Sequence, residues 1–66
     1  MDLIEFVKDE YDIIGKTISV YTLDGQIIKG VVRRAETKLL GIEHENGFFV
    51  INTNAIASLF ISKDGQ

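Results

Sequence analysis

From Lys16 onward the chain repeats one pattern: a short run rich in β-branched and aromatic side chains, then a polar break. The runs are KTISVYTL, QIIKGVVRRA, LLGIEHE, FFVIN and IASLFIS, and no proline interrupts any of them. Such side chains suit a pleated surface, and breaks this short allow only strands that fold straight back on their neighbours. Two of the breaks carry Asp24-Gly25 and Asn46-Gly47, dipeptides that tolerate the positive φ of tight hairpin turns. The pattern predicts five antiparallel strands, over about 16–23, 26–35, 39–45, 48–52 and 56–62.

Before Lys16 the period changes. Leu3, Phe6, Val7, Tyr11 and Ile14 recur at steps of three and four residues, which marks one apolar stripe of a helix over about 2–14. Asp2 can cap its start with Glu5 placed as in a capping box, and Gly15 suits the position just past its end.

One helix and five short strands are too little for a sandwich. A strongly bent sheet closing into a small barrel, with the helix across one open end, buries the most surface. The expected fold class is therefore mostly β, one domain over 1–66. Gly30 then has a use, because a sharply bent strand needs one position without a Cβ to kink and to clear the facing strand. A loosely tolerated glycine in an edge strand is the competing explanation.

A chain of 66 residues has little stability to spare once ordering entropy is set against apolar burial. It has no cysteine and a single histidine, which excludes a disulfide framework and a Cys/His zinc site. No cofactor is expected. Tight packing or partner copies remain, and the second hairpin favours copies. If Asn46-Gly47 is the two-residue turn, Glu45 faces Phe48, His44 faces Phe49 and Ile42 faces Ile51. Leu40, Ile42, Phe49 and Ile51 then share the core face, while Phe48 and Val50 point outward beside Glu43 and Glu45. Outward apolar residues in so small a protein suggest a subunit interface, with packing beneath the helix as the rival.

The net charge of −3 argues against general nucleic-acid affinity, which needs clustered cations. The charge is uneven, however. Asp2, Glu5, Asp9, Glu10 and Asp12 outnumber Lys8 at the start, whereas Lys16, Lys29, Arg33, Arg34 and Lys38 outnumber Asp24 and Glu36 in the middle third. A local RNA contact and mutual attraction of subunits both fit this. No apolar run is long enough to span a bilayer, and the first residues are acidic and apolar rather than basic as in a secretory signal. The expectation is a cytoplasmic protein with no membrane partner.

The order of these features resembles the Sm/LSm family over nearly the whole chain. GKTISVYTLDGQIIKGVV looks like its first motif, with Ile18, Val20, Ile28, Gly30 and Val32 at the apolar and glycine positions and Thr22 where a larger apolar residue is usual. FFVINTNAIASLFI looks like the second, with Ile56 as the apolar residue after the turn. The resemblance implies an N-terminal helix on a five-stranded bent barrel, and rings in which the fourth strand of one subunit pairs with the fifth of the next. It marks Phe48, Val50, Leu59, Phe60 and Ile61 as interface residues, and Gly30, Asp24 and Gly25 as structural ones. Other small barrels share parts of the spacing, among them the middle domain of mechanosensitive channels.

In the family, single-stranded RNA binds through two loops. One supplies an Asp and an Asn beside a stacking side chain, the other an Arg-Gly pair. Here Glu36 falls at the Asp position and Leu40, or Gly41 with a one-residue gap, at the Asn position. Asn52-Thr53 replaces Arg-Gly, Asn54 matches a polar residue common after it, and AETKLLG offers no aromatic. Lys38, Asn52 and Asn54 are the remaining candidate RNA contacts, with Arg33 and Arg34 as electrostatic aids. Each has a plainer reading. The arginines point to opposite faces of a strand, so one is a surface charge and the other pairs across an interface with an acidic group, and the asparagines do turn chemistry. His44 lies between Glu43 and Glu45, but alternation separates them, so no metal site is expected. Nothing resembles a nucleophile–base pair or a phosphate-cradling loop. A filled barrel also leaves no room for a small-molecule substrate, so no enzyme is expected. Two roles stay open: a ring-forming protein of RNA metabolism with a degenerate base site, or a homo-oligomeric scaffold that has lost RNA binding.

Overall fold

A computed structural model describes residues 12–62 together with Leu3 and Val7. Five strands run β1 Thr17–Thr22, β2 Ile27–Ala35, β3 Leu39–His44, β4 Gly47–Asn52 and β5 Ile56–Ile61, with one 3-10 turn at Thr53–Ala55. They form one antiparallel sheet in the order β4-β3-β2-β1-β5. The mostly β architecture is thus present, and the sheet curls around a core of Ile18, Val20, Val32, Leu40, Ile42, Ile51 and Ile56, joined by Val7 and Ile13. The barrel is not closed: β4 and β5 are the two borders of the sheet, with no ladder between them.

The helix expected over 2–14 is not supported as an element. Most of it lies outside the described residues, although Leu3 and Val7 have helical backbone and pack on the core. Its expected last turn is corrected, since Asp12 and Ile13 are not helical. The Asp12 carboxylate accepts the Ile14 N–H at 3.3 Å, the local bond by which Asp draws backbone away from a helix. Lys16 N–H closes a turn onto Ile13 O at 3.0 Å, and Gly15 takes φ +86° as the chain enters β1.

The first hairpin turns over Leu23-Asp24-Gly25, with Gly25 at φ +89° and its N–H on Thr22 O at 3.1 Å. This is the three-residue loop in which a glycine takes the left-handed position. Thr22 has the job of bracing it. Its Oγ1 accepts the Gln26 N–H at 2.9 Å and donates to the Asp24 carboxylate, which gives the hydroxyl at this position a structural use.

The second hairpin departs from expectation. His44 faces Gly47, Glu43 faces Phe48 and Ile42 faces Phe49, so Glu45-Asn46 is the two-residue turn, not Asn46-Gly47. A turn centred on Asn46-Gly47 would need positive φ at Asn46, and among the described residues only glycines have it. The shift is by two residues, so the faces survive: Leu40, Ile42 and Ile51 are buried inside, and Phe48 and Val50 point out.

Gly30 lies where β2 comes close to β3. A Cβ there would lie 2.4 Å from Glu43 O and 2.6 Å from Ile42 Cγ2. The β2 backbone presses directly on β3, and only the missing side chain allows it.

Candidate functional site

Strand alternation separates Arg33 from Arg34 only while the ladder is regular, and between β2 and β3 it is not. Val32 pairs with Ile42 but Arg34 with Gly41, leaving Arg33 as the extra residue of a bulge. Val32 is buried inside and Ala35 packs on the core, so both arginines stand on the outer face between them. This corrects the opposite-face reading. A Cβ on Gly41 would meet Arg34 Cβ at 3.4 Å, which places Arg34 on the same side.

Both arginines are occupied. Arg33 Nε donates to Glu43 Oε1 at 2.6 Å, and Arg34 Nε donates to Glu36. Glu36 is thus spent on a cation next door. Lys38 has no carboxylate at ion-pair distance among the described residues.

The two candidate loops are tied together. Thr53 N–H donates to Lys38 O at 2.9 Å, and Thr53 Oγ1 donates to Thr37 O at 2.9 Å. The β2–β3 loop and the 3-10 turn therefore form one edge bearing Lys38, Asn52 and Asn54. Asn52 Oδ1 caps the turn by accepting the Asn54 N–H at 2.9 Å, which is turn chemistry. Its amide NH2 and the exposed Asn54 side chain keep donors and acceptors for a ligand.

Of the five expected interface residues, Phe48, Val50 and Phe60 are 65%, 70% and 61% exposed. Leu59 and Ile61 lie opposite Val20 and Ile18 and pack against the core. Phe49 is 43% exposed although it shares the inner face, and its ring meets the His44 imidazole edge-on at 5.9 Å. Among the described residues no group of three potential metal ligands gathers, around His44 or elsewhere. No described helix is long and apolar enough to cross a membrane.

Sequence reasoning missed a recess of about 310 Å³ on the outer face, lined chiefly by Thr17, Ser19, Lys29, Phe60 and Ser62. Its side chains come from three strands, β1, β2 and β5 with its end, and no linear motif joins them. Compared with protein-family models, curated proteins and solved structures, the chain finds no match in any.

Proposed function

We propose that this chain is an Sm-like subunit that assembles with copies of itself through β4 and β5. The observation that carries the reading is the strand order. It ends on β4 and β5, each bearing exposed phenylalanine. An unpaired strand border is a template for another chain, and head-to-tail pairing of two different borders generates a ring when the rotation closes. Light scattering on the purified protein tests this: a defined oligomer is expected, and a monomer at all concentrations refutes it.

A second reading adds single-stranded RNA as a ligand of that ring. It is favoured by the Thr53 clasp, which joins the two candidate loops into one edge with Lys38, Asn52 and Asn54. The ion pairs on Arg33 and Arg34 weigh towards weak affinity, because a cation already paired gains less from a phosphate. Oligo-uridine titrated at low salt should change its anisotropy and lose that change with Lys38→Ala. No change at tens of micromolar protein leaves the scaffold role alone.

A further inference from the structure

On a strand every second side chain stands on the outer face, and the lengths of those side chains set the relief of that face. Register places Ser19 of β1 between Lys29 of β2 and Phe60 of β5. Thr17 stands two residues away on the same face, with Ser62 beside it through a bond from Ser62 N–H to Thr17 O at 3.1 Å. Thr17, Ser19 and Ser62 are short and half-buried, whereas Lys29 and Phe60 are long and exposed. A short floor between tall walls gives the recess of about 310 Å³. The packed core leaves no room for a small molecule, but this hollow lies on the opposite side of the sheet.

The polar groups that line it are idle in the fold. Thr22 and Thr53 spend their hydroxyls on a turn and on a loop. Among the described residues, the side chains of Thr17, Ser19, Ser62 and Lys29 make no hydrogen bond or ion pair. Glu43, opposite Val31 on the next strand, is committed to Arg33. The recess thus presents one ammonium and three hydroxyl donors, with an aromatic ring on one side.

That combination selects a ligand. Ammonium and hydroxyl groups converging on one hollow are donors for an oxyanion, and a single lysine matches a small anion, not a polyanion. The exposed ring of Phe60 offers its face to a flat apolar group. Ligand sites run from about 300 to 1,000 Å³, so a hollow of this size holds one ring, one oxyanion and little more. We propose that the outer-face recess binds a small organic oxyanion carrying a planar ring, either a carboxylate or a phosphate monoester. Lys29 and the hydroxyls of Thr17, Ser19 and Ser62 hold the oxyanion, and Phe60 packs against the ring. The site is built within one subunit, on the side of Phe60 facing β1 and β2, away from the open border of β5. It shares no residue with the edge bearing Lys38, Asn52 and Asn54, so its test is separate from those of assembly and RNA.

The native protein, followed by amide NMR at constant ionic strength, is titrated with phenyl phosphate, phenylacetate, benzyl alcohol and inorganic phosphate. Phenyl phosphate or phenylacetate should shift the amides of Ser19, Lys29, Phe60 and Ser62 saturably, and the tighter of the two names the headgroup. Benzyl alcohol has the ring without the charge and should bind about tenfold more weakly. Inorganic phosphate has the charge without the ring and should bind several times more weakly than phenyl phosphate. Lys29→Gln should weaken the ring-bearing anion about tenfold, and Ser19→Leu should fill the hollow and abolish binding. Circular dichroism matching the native protein shows that each variant folds, and Lys29→Gln, an exposed change, decides alone if Ser19→Leu does not. No saturable shift from either ring-bearing anion at millimolar concentration overturns the site. So does unchanged affinity in Lys29→Gln, or benzyl alcohol binding as tightly as the anions. Inorganic phosphate binding as tightly as phenyl phosphate overturns the role of Phe60 and the planar ring.

Discussion

Substituting Gly30 by Ala tests the close approach of β2 to β3. The added Cβ would sit 2.4 Å from a backbone oxygen and 2.6 Å from a side-chain methyl of the buried Ile42, whereas real Cβ contacts stay beyond 3.0 Å. Glu43 O cannot swing away like a side chain, because Glu43 is paired with Val31 in the ladder. Relief requires β2 to part from β3 or the bend to flatten. Overpacking of this kind costs ~1–3 kcal/mol, and a backbone obstacle puts the expected loss near ~3. A chain of 66 residues has roughly 3–10 kcal/mol in total, at ~0.05–0.15 per residue.

Gly41→Ala is the matched control. Its Cβ would meet only Arg34, at 3.4 Å or more, and a glycine inside a strand costs ~0.5–1 kcal/mol relative to Ala. That variant should hold its stability or gain up to this amount. Urea denaturation at equal protomer concentration, which matters if copies associate, should show Gly30→Ala losing a third or more of the total. Equal stability of Gly30→Ala and the native chain, or equal damage from both variants, refutes the close-approach account.

Thr22→Val should cost about 1 kcal/mol in the same assay, because Gln26 N–H loses its acceptor at the first turn; an unchanged midpoint contradicts the bracing role. Arg33→Ala and Arg34→Ala should each change stability by no more than ~1 kcal/mol, the range for exposed ion pairs, and less at high salt. A larger loss would mean the outer face is covered in solution. Phe48→Asp should dissociate the proposed oligomer, read by light scattering, while leaving the circular dichroism of the subunit intact, since Phe48 is exposed in the isolated fold. An unchanged particle mass would remove β4 from the interface.

The strands were legible because their signal is local: β-branched runs bounded by turn residues. The close approach of another strand at Gly30 was legible too, because a glycine inside a β-branched run asks for one. What the sequence did not reveal depends on where ladders slip. Nothing in VVRRA marks Arg33 as a bulge, yet that one extra residue turns two arginines predicted to oppose each other into neighbours. Likewise the Asn46-Gly47 signal was real as turn chemistry but misplaced by a residue at each strand, because Glu45-Asn46 can close the hairpin without positive φ. The loop pairing through Thr53 was invisible for a different reason. It joins residues about fifteen positions apart in sequence through one backbone bond and one threonine hydroxyl, and neither has a distinctive local pattern.

These slips bear on function because alternation decides which apolar residues are spare. With Leu59 and Ile61 inside and Phe48 and Val50 outside, the two borders are out of phase with one another. A β4–β4 pairing keeps Phe48 and Val50 on the outer face of both subunits, away from either core. Only a junction between unlike borders moves them onto a neighbour's core. Such a contact uses a different surface on each subunit, so every copy that docks leaves one border of each kind open until the assembly closes on itself. A particle in which β4 of one copy is cross-linked to β4 of the next, rather than to β5, would contradict a junction between unlike borders.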